Sequence, residues 1–166
     1  MDTPGISLRP MREGDVTAIR GWPPYQDTYA QMDYALRHHG WLAEYYSNPG
    51  SWCYIAESDG KTVGFSLLLK TSAQNAELRI ALHPAKTGLG LGGQIMMSVM
   101  ETAFSQLGFD TIHLVVRKNN FPAMRLYERL GFRNRGDCTL FIQGMPVEFF
   151  KMDIDRLEFQ LLKTEE

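Results

Sequence analysis

Residues 82–93 read Leu82-His83-Pro84-Ala85-Lys86-Thr87-Gly88-Leu89-Gly90-Leu91-Gly92-Gly93. The glycines separate two kinds of segment. Before them, Ala76 to Leu82 reads as a strand. After them, Ile95, Val99, Ala103 and Leu107 recur every fourth residue, with Met96, Met100 and Phe104 beside them, which predicts a helix running to about Leu107 and capped by Gly108. Main chain approaches a phosphate closely only where side chains are absent, and glycine also permits positive φ. A loop of this kind opening a helix has unpaired N–H groups and a dipole that favour an anion, so Gly88 to Gly93 reads as a pyrophosphate site.

Upstream, Ile6 to Pro10 alternates as a short first strand, and Glu13-Gly14-Asp15 starts a helix with Val16, Ile19 and Trp22 on its apolar stripe. Pro23-Pro24 stops it. Residues 28–47 read as a second helical region. After the Asn48-Pro49-Gly50 turn come strands over 52–57 and 62–71, joined by Asp59-Gly60, the chemistry of a tight hairpin. Downstream, Thr111 to Val116 is a β-branched strand, and Phe121 to Leu130 a helix ended by Gly131. Strands follow over 137–142 and 147–154, flanking a turn at Gly144-Met145-Pro146, and a short helix is expected over 155–163. The order β-α-α-β-β-β-α-β-α-β-β contains one strand–loop–helix–strand crossover. Two strands should therefore run parallel within an otherwise antiparallel sheet. The expected fold is α/β (α+β), a mixed, mainly antiparallel sheet with a splayed parallel pair, flanked by helices, in one domain over residues 1–166.

The 166 residues are 44% hydrophobic and 22% charged, with a net charge of -2. That is a soluble globular composition without the basic excess of a general nucleic-acid binder. No apolar run approaches the roughly 18 residues of a membrane span, and the N-terminus lacks signal-peptide character. Cys53 and Cys138 form neither a disulfide framework nor a metal-ligand spacing and read as buried small apolar residues. A cytoplasmic protein without a metal centre, nucleic-acid partner or membrane association is expected, as monomer or homodimer.

The glycine loop has rival readings. A P-loop ends in Gly-Lys-Ser/Thr, but here Gly93-Gln94 follows Gly92. Gly88, Gly90 and Gly93 match a dinucleotide fingerprint literally. That fingerprint requires an acidic residue after the next strand, where this chain has Arg117-Lys118. A glycine-rich turn without ligand is the bland alternative.

Leu82-His83-Pro84, followed by Thr87-Gly88-Leu89-Gly90-Leu91-Gly92, resembles the acetyl-CoA loop of the GNAT superfamily of N-acetyltransferases. One strand later, Asn120-Phe121-Pro122-Ala123-Met124-Arg125-Leu126-Tyr127-Glu128-Arg129-Leu130-Gly131-Phe132 matches that family's Asn-x-x-Ala-x-x-x-Tyr-x-x-x-Gly-Phe at every fixed position. The resemblance covers most of the chain. It implies that acetyl-CoA enters the splay, with main-chain hydrogen bonds from Ile80, Ala81 and Leu82 to the pantetheine. It also implies that Thr87, Gly88, Leu89, Gly90, Leu91, Gly92 and Gly93 hold the pyrophosphate, and that Asn120 and Ala123 contact the cofactor. Tyr127 would donate a proton to the departing thiolate. Thr87 stands where the family usually has Arg or Gln, which implies a weaker or differently clamped cofactor.

From the residues alone, Asn120 is equally an N-cap and Tyr127 a packing aromatic. Glu77, early in the strand before the loop, is placed to deprotonate an attacking amine, or else to partner Arg79. His83 is a second candidate base, although Pro84 makes it a loop residue. The aromatics from Trp22 through Tyr25, Tyr29, Tyr34, Trp41, Tyr45 and Tyr46 pack helices, and by resemblance also form the acceptor wall. Adjacent His38 and His39 point apart on a helix and make no metal site. The implied reaction is direct acetyl transfer to a primary amine: a protein N-terminus, a lysine or a small-molecule amine. A non-catalytic acyl-CoA-binding sensor is the alternative.

Overall fold

A computed structural model describes residues 5–26, 30, 32, 33, 36 and 40–164. One seven-stranded sheet carries the fold, in the order β1-β2-β3-β4-β5-β7-β6. Its first half is an antiparallel meander of β1 (Ser7–Pro10), β2 (Ser51–Ser58), β3 (Lys61–Lys70) and β4 (Asn75–Leu82). Helix α3 (Leu91–Glu101) then crosses over to β5 (Thr111–Arg117), which lies parallel to β4. Helix α4 (Phe121–Arg129) follows, then the hairpin of β6 (Arg133–Ile142) and β7 (Met145–Asp155), and α5 (Arg156–Thr164).

The sheet separates two apolar clusters. On one face α3 packs Ile95, Met96, Val99 and Met100 against Leu78, Ile112, Leu114 and Ile154. On the other, α1 (Glu13–Arg20) and α2 (Trp41–Tyr45) cover Ile55, Phe65, Leu67 and Ala81. The period of two along β4 sends Leu78 to the first face and Ala81 to the second. Glu77 and Arg79 share the parity of Ala81 and so stand on the α1–α2 face.

Four expectations change. Of the helical region expected over 28–47, α2 spans Trp41–Tyr45 among the described residues, with Gly40 extended ahead of it, and Tyr29, Tyr34, His38 and His39 lie outside the described residues. The helix before Gly108 is α-helical only to Glu101. Thr102–Gln106 winds as a π-turn, closed by Leu107 N–H donating to Thr102 O at 3.0 Å, while the Thr102 hydroxyl donates back to Ser98 O. The last hairpin is longer than expected. A register shift between Asn134 and Gly136 lets a polar stretch join β6, and the turn tightens to Gln143-Gly144, both at positive φ. Cys53 and Cys138 are half-buried rather than buried, and burial pushes the Cys53 thiol up to about 11.

The feature that makes a site is where pairing stops. Strands β4 and β5 are joined only from Asn75↔Thr111 to Glu77↔His113, although both strands continue. Likewise β7 is paired to β5 only over Phe149–Asp155, so the tip of the β6–β7 hairpin extends past the end of β5.

Candidate active site

The gap opened between β4 and β5 is a cleft of about 1270 Å³. Its walls are β4 from Leu78 to Leu82, β5 from Val115 to Arg117, the N-terminal loop of α3, one face of α4, part of α2 and the hairpin tip at 140–143.

Main-chain chemistry along β4 follows from register. His83 N–H donates to Val63 O at 2.8 Å, and Gly64 lies opposite Leu82. In an antiparallel pair, alternate residues turn their N–H and C=O groups to the same neighbour. His83, Ala81 and Arg79 therefore bond to β3, while Leu82, Ile80 and Leu78 aim theirs across the gap. Of the three strand residues implied as main-chain contacts, Ile80 and Leu82 have groups facing the opening, and the groups of Ala81 are spent on Phe65. The Leu82 carbonyl also accepts a hydrogen bond from the Tyr25 hydroxyl, which leaves the N–H of Ile80, the N–H of Leu82 and the C=O of Ile80 facing the cleft.

At the cleft's other end, Gly88 and Gly90 adopt φ of +76° and +79°, and a Cβ at either would meet open space. Backbone conformation, not crowding, requires glycine there. Gly90 caps α3 without a side-chain hydrogen bond, so the first N–H groups of α3 are left to a ligand or water. Gly92 and Gly93 answer a different need: Cβ atoms there would stand 3.4 and 3.3 Å from the Leu126 side chain on α4. Thr87 lines the cleft and its hydroxyl donates to Pro84 O at 3.3 Å. Leu89 and Leu91 do not line it: Leu91 is buried in the core below and Leu89 projects to solvent.

Helix α4 brings Asn120, Ala123 and Tyr127 to one wall. Asn120 Oδ1 accepts from Ala123 N–H at 3.3 Å, so the residue is a cap that also faces the cleft. The Tyr127 ring lies 6.0 Å from that of Phe132, and burial pushes its phenol up to about 12. It stays protonated at neutral pH, the state a proton donor needs.

Glu77 is placed differently. It sits in the last paired step between β4 and β5, does not line the cleft, and makes an ion pair with Arg79, Oε1 to Nε 3.4 Å. His83 also lies outside the lining. Its Nδ1 accepts from Ala85 N–H, its ring packs 4.8 Å from Trp22, and burial, helped by Lys86, lowers its pKa. Trp41 and Tyr45 line the cleft, and the guanidinium of Arg79 lies over both rings. The contribution of residues 140–143 was not read from the sequence. Alternation marks β6 as a strand, but nothing local tells that the hairpin overhangs a gap between two other strands.

A mixed sheet that opens between its parallel pair, with main-chain groups facing the gap along one strand and a glycine-lined helix start at the end, defines an α/β fold with a cleft between two of its strands. The chain belongs to the acetyltransferase (GNAT) family, whose model matches residues 17–132. An uncharacterised N-acetyltransferase of Mycobacterium tuberculosis is 32% identical over 99 residues, 59% of this chain and 63% of that protein. The spermidine N(1)-acetyltransferase of Escherichia coli K12 is 30% identical over 105 residues, 61% of this chain and 56% of its own length. These matches span less than two thirds of the relatives' lengths. A spermidine N-acetyltransferase from Vibrio cholerae, solved in complex with CoA and spermine, superposes with a TM-score of 0.74 at 20% identity, covering 93% of this chain and 98% of that one. At that identity the likeness concerns the fold.

Among the described residues, no helix is long and apolar enough to cross a membrane, and no three His, Cys, Asp or Glu side chains group as metal ligands.

Proposed function

We propose that the protein transfers the acetyl group of acetyl-CoA directly to a primary amine. The observation that carries this reading is the convergence on one cleft of the open edge of β4, the glycine loop and Tyr127. Acetyl-CoA supplies an activated thioester carbonyl, and its elongated, pyrophosphate-bearing form suits a cleft with main-chain donors along one strand and a helix start at its end.

The N–H groups of Ile80 and Leu82 orient the pantetheine arm and are the available donors for the thioester oxygen. The first turn of α3, with Gly88, Gly90, Gly92 and Gly93, receives the pyrophosphate. Leu89 and Leu91 contribute backbone only. Asn120 and Ala123 position the arm from α4. The amine nitrogen forms the new C–N bond, the C–S bond breaks, and Tyr127 gives its proton to the sulfur. The proton lost by the amine goes to a carboxylate, directly or through water, and finally restores the phenol. Glu77, held by Arg79 outside the lining, acts through water in this scheme; Glu44, which does line the cleft, is the other candidate carboxylate. Glu77→Gln flattens the acidic limb of the pH–rate profile if Glu77 is that base, and an unchanged limb transfers the role to Glu44 or solvent.

The test is thiol release from acetyl-CoA with a panel of primary amines, read beside calorimetric binding of acetyl-CoA. Turnover with at least one amine is expected. Tight binding with no turnover across the panel would instead identify an acyl-CoA-binding sensor.

A further inference from the structure

Arg79 lines the cleft, and the proposed chemistry gives it no contact with substrate. Its guanidinium lies 4.8 Å from the centre of the Tyr45 ring and 5.5 Å from that of Trp41, and its side chain is 22% exposed. Two aromatic faces fix the plane of a charged fork at the acceptor side of the cleft.

Its ionic partner among the described residues does not saturate it. The hydrogen bonds to Glu77 are 3.4 and 3.5 Å long. A committed bidentate pair in the same molecule, Arg9 with Asp15, has both contacts at 2.7 Å. Charge-assisted hydrogen bonds are short when the geometry is built for them, and those of Arg79 are not. Moreover Arg79 lines the cleft and Glu77 does not, so the pair presents its cation to the opening. Among the described lining residues, Glu44 is the only acid, against Arg79, Arg117 and Arg129. A polyamine brings several positive charges into such a cleft and finds one carboxylate among the described lining residues. A carboxylate-bearing amine finds a planar, prealigned fork. The described lining also includes apolar and aromatic side chains, Met32, Trp41, Tyr45, Leu140, Phe141 and Phe149 among them.

Building on the acetyltransferase reading above, we propose that Arg79 reads a carboxylate on the acceptor. The acceptor class is then an amino-acid-type amine with an apolar or aromatic side chain, not a polyamine or a peptide N-terminus.

The experiment compares matched amines that differ only by the carboxylate: phenylalanine with phenethylamine, tryptophan with tryptamine, leucine with isoamylamine. Spermidine and a short peptide with a free N-terminus complete the panel. Thiol release from acetyl-CoA by the wild-type protein is expected to show kcat/KM at least about tenfold higher for the carboxylated member of a pair, the scale of a hydrogen-bonded charge pair. In Arg79→Gln, KM for that member rises and the ratio within the pair collapses toward one, while Arg79→Lys retains part of the ratio. The wild-type comparison stands without the variants should either fail to fold. Spermidine, the peptide or the bare amines used as well as or better than their carboxylated counterparts overturns the proposal. So does Arg79→Gln lowering both members of a pair with the ratio intact, which marks Arg79 as structural. Absence of thiol release with every amine, despite bound acetyl-CoA, instead overturns the acetyltransferase reading beneath it.

Discussion

The Tyr127 hydroxyl, on a ring packed against Phe132 at the cleft wall, separates a catalytic from a structural role for its residue. Tyr127→Phe keeps that packing and removes only the oxygen. If the phenol protonates the departing thiolate, kcat falls roughly 10²–10⁴-fold with KM for acetyl-CoA little changed, because the bond matters as charge develops on sulfur. Steady-state kinetics with a well-used amine checks this; turnover within about twofold of wild type returns Tyr127 to packing. Its titration gives a second readout. The phenol ionises near 10 in the unfolded chain and near 12 in the folded one. The folded state therefore keeps a proton that the unfolded state releases. The associated stability is intact below pH 10 and is lost as pH rises toward 12. Chemical denaturation across that window should fall less steeply in Tyr127→Phe than in wild type. Asn120 poses a similar question of divided roles, since its side-chain oxygen caps α4 while the residue lines the cleft. Asn120→Ala should cost roughly 0.5–2 kcal/mol as a lost cap. A rise in the acetyl-CoA Kd beyond tenfold, measured by calorimetry, shows the ligand contact as well. A melting temperature that falls with Kd unchanged leaves Asn120 a cap alone. At this scale the sequence pointed to residue types but not to partners: Glu77 and Arg79 are two apart, so their shared face was readable, while the rings of Trp41 and Tyr45 under Arg79 were not.

Gly64 in β3 shows how one element shapes another. A Cβ there would come within 2.7 Å of Ala81 O and 3.1 Å of Ile95 Cδ1. Backbone cannot yield as a side-chain tip does, so Gly64→Ala should push β4 away from β3. The expected cost is about 1–3 kcal/mol in urea unfolding, the range for overpacking. Weaker acetyl-CoA binding should follow, because Ile80 and Leu82 lie on the displaced strand. Element type and order were largely legible, since period two along the meander and period four along α3 are local signals. Boundaries failed where local signals were weak. The polar run Arg133 to Gly136 joins β6 because β7 supplies partners, and Thr102 to Gln106 departs from α geometry within a continuous apolar stripe.

Ligand linkage tests the whole molecule. A ligand that binds only the folded chain stabilises it by about 2.7 kcal/mol at a hundredfold excess over Kd. For a chain of this size that raises the melting temperature by roughly 5–10 °C. Acetyl-CoA should produce that shift and NAD none, and Gly90→Asp, which sets a carboxylate at the start of α3 at a φ of +79°, should abolish it. An equal shift with NAD, or an undiminished shift in the variant, removes the loop assignment.

The sequence by itself determined the mixed sheet, the crossover that makes β4 and β5 parallel, and the glycine loop that opens α3. Each of these is written in periodicity, turn chemistry and the handedness of connections, which act over short stretches of chain. Only the tertiary structure decided where β4 and β5 part after Glu77, which N–H groups of β4 face the gap, and that the β6–β7 tip and Arg79 border it. Those features depend on register between strands and on which rings pack under which charge, and pairings between distant segments leave no periodic mark in either segment alone.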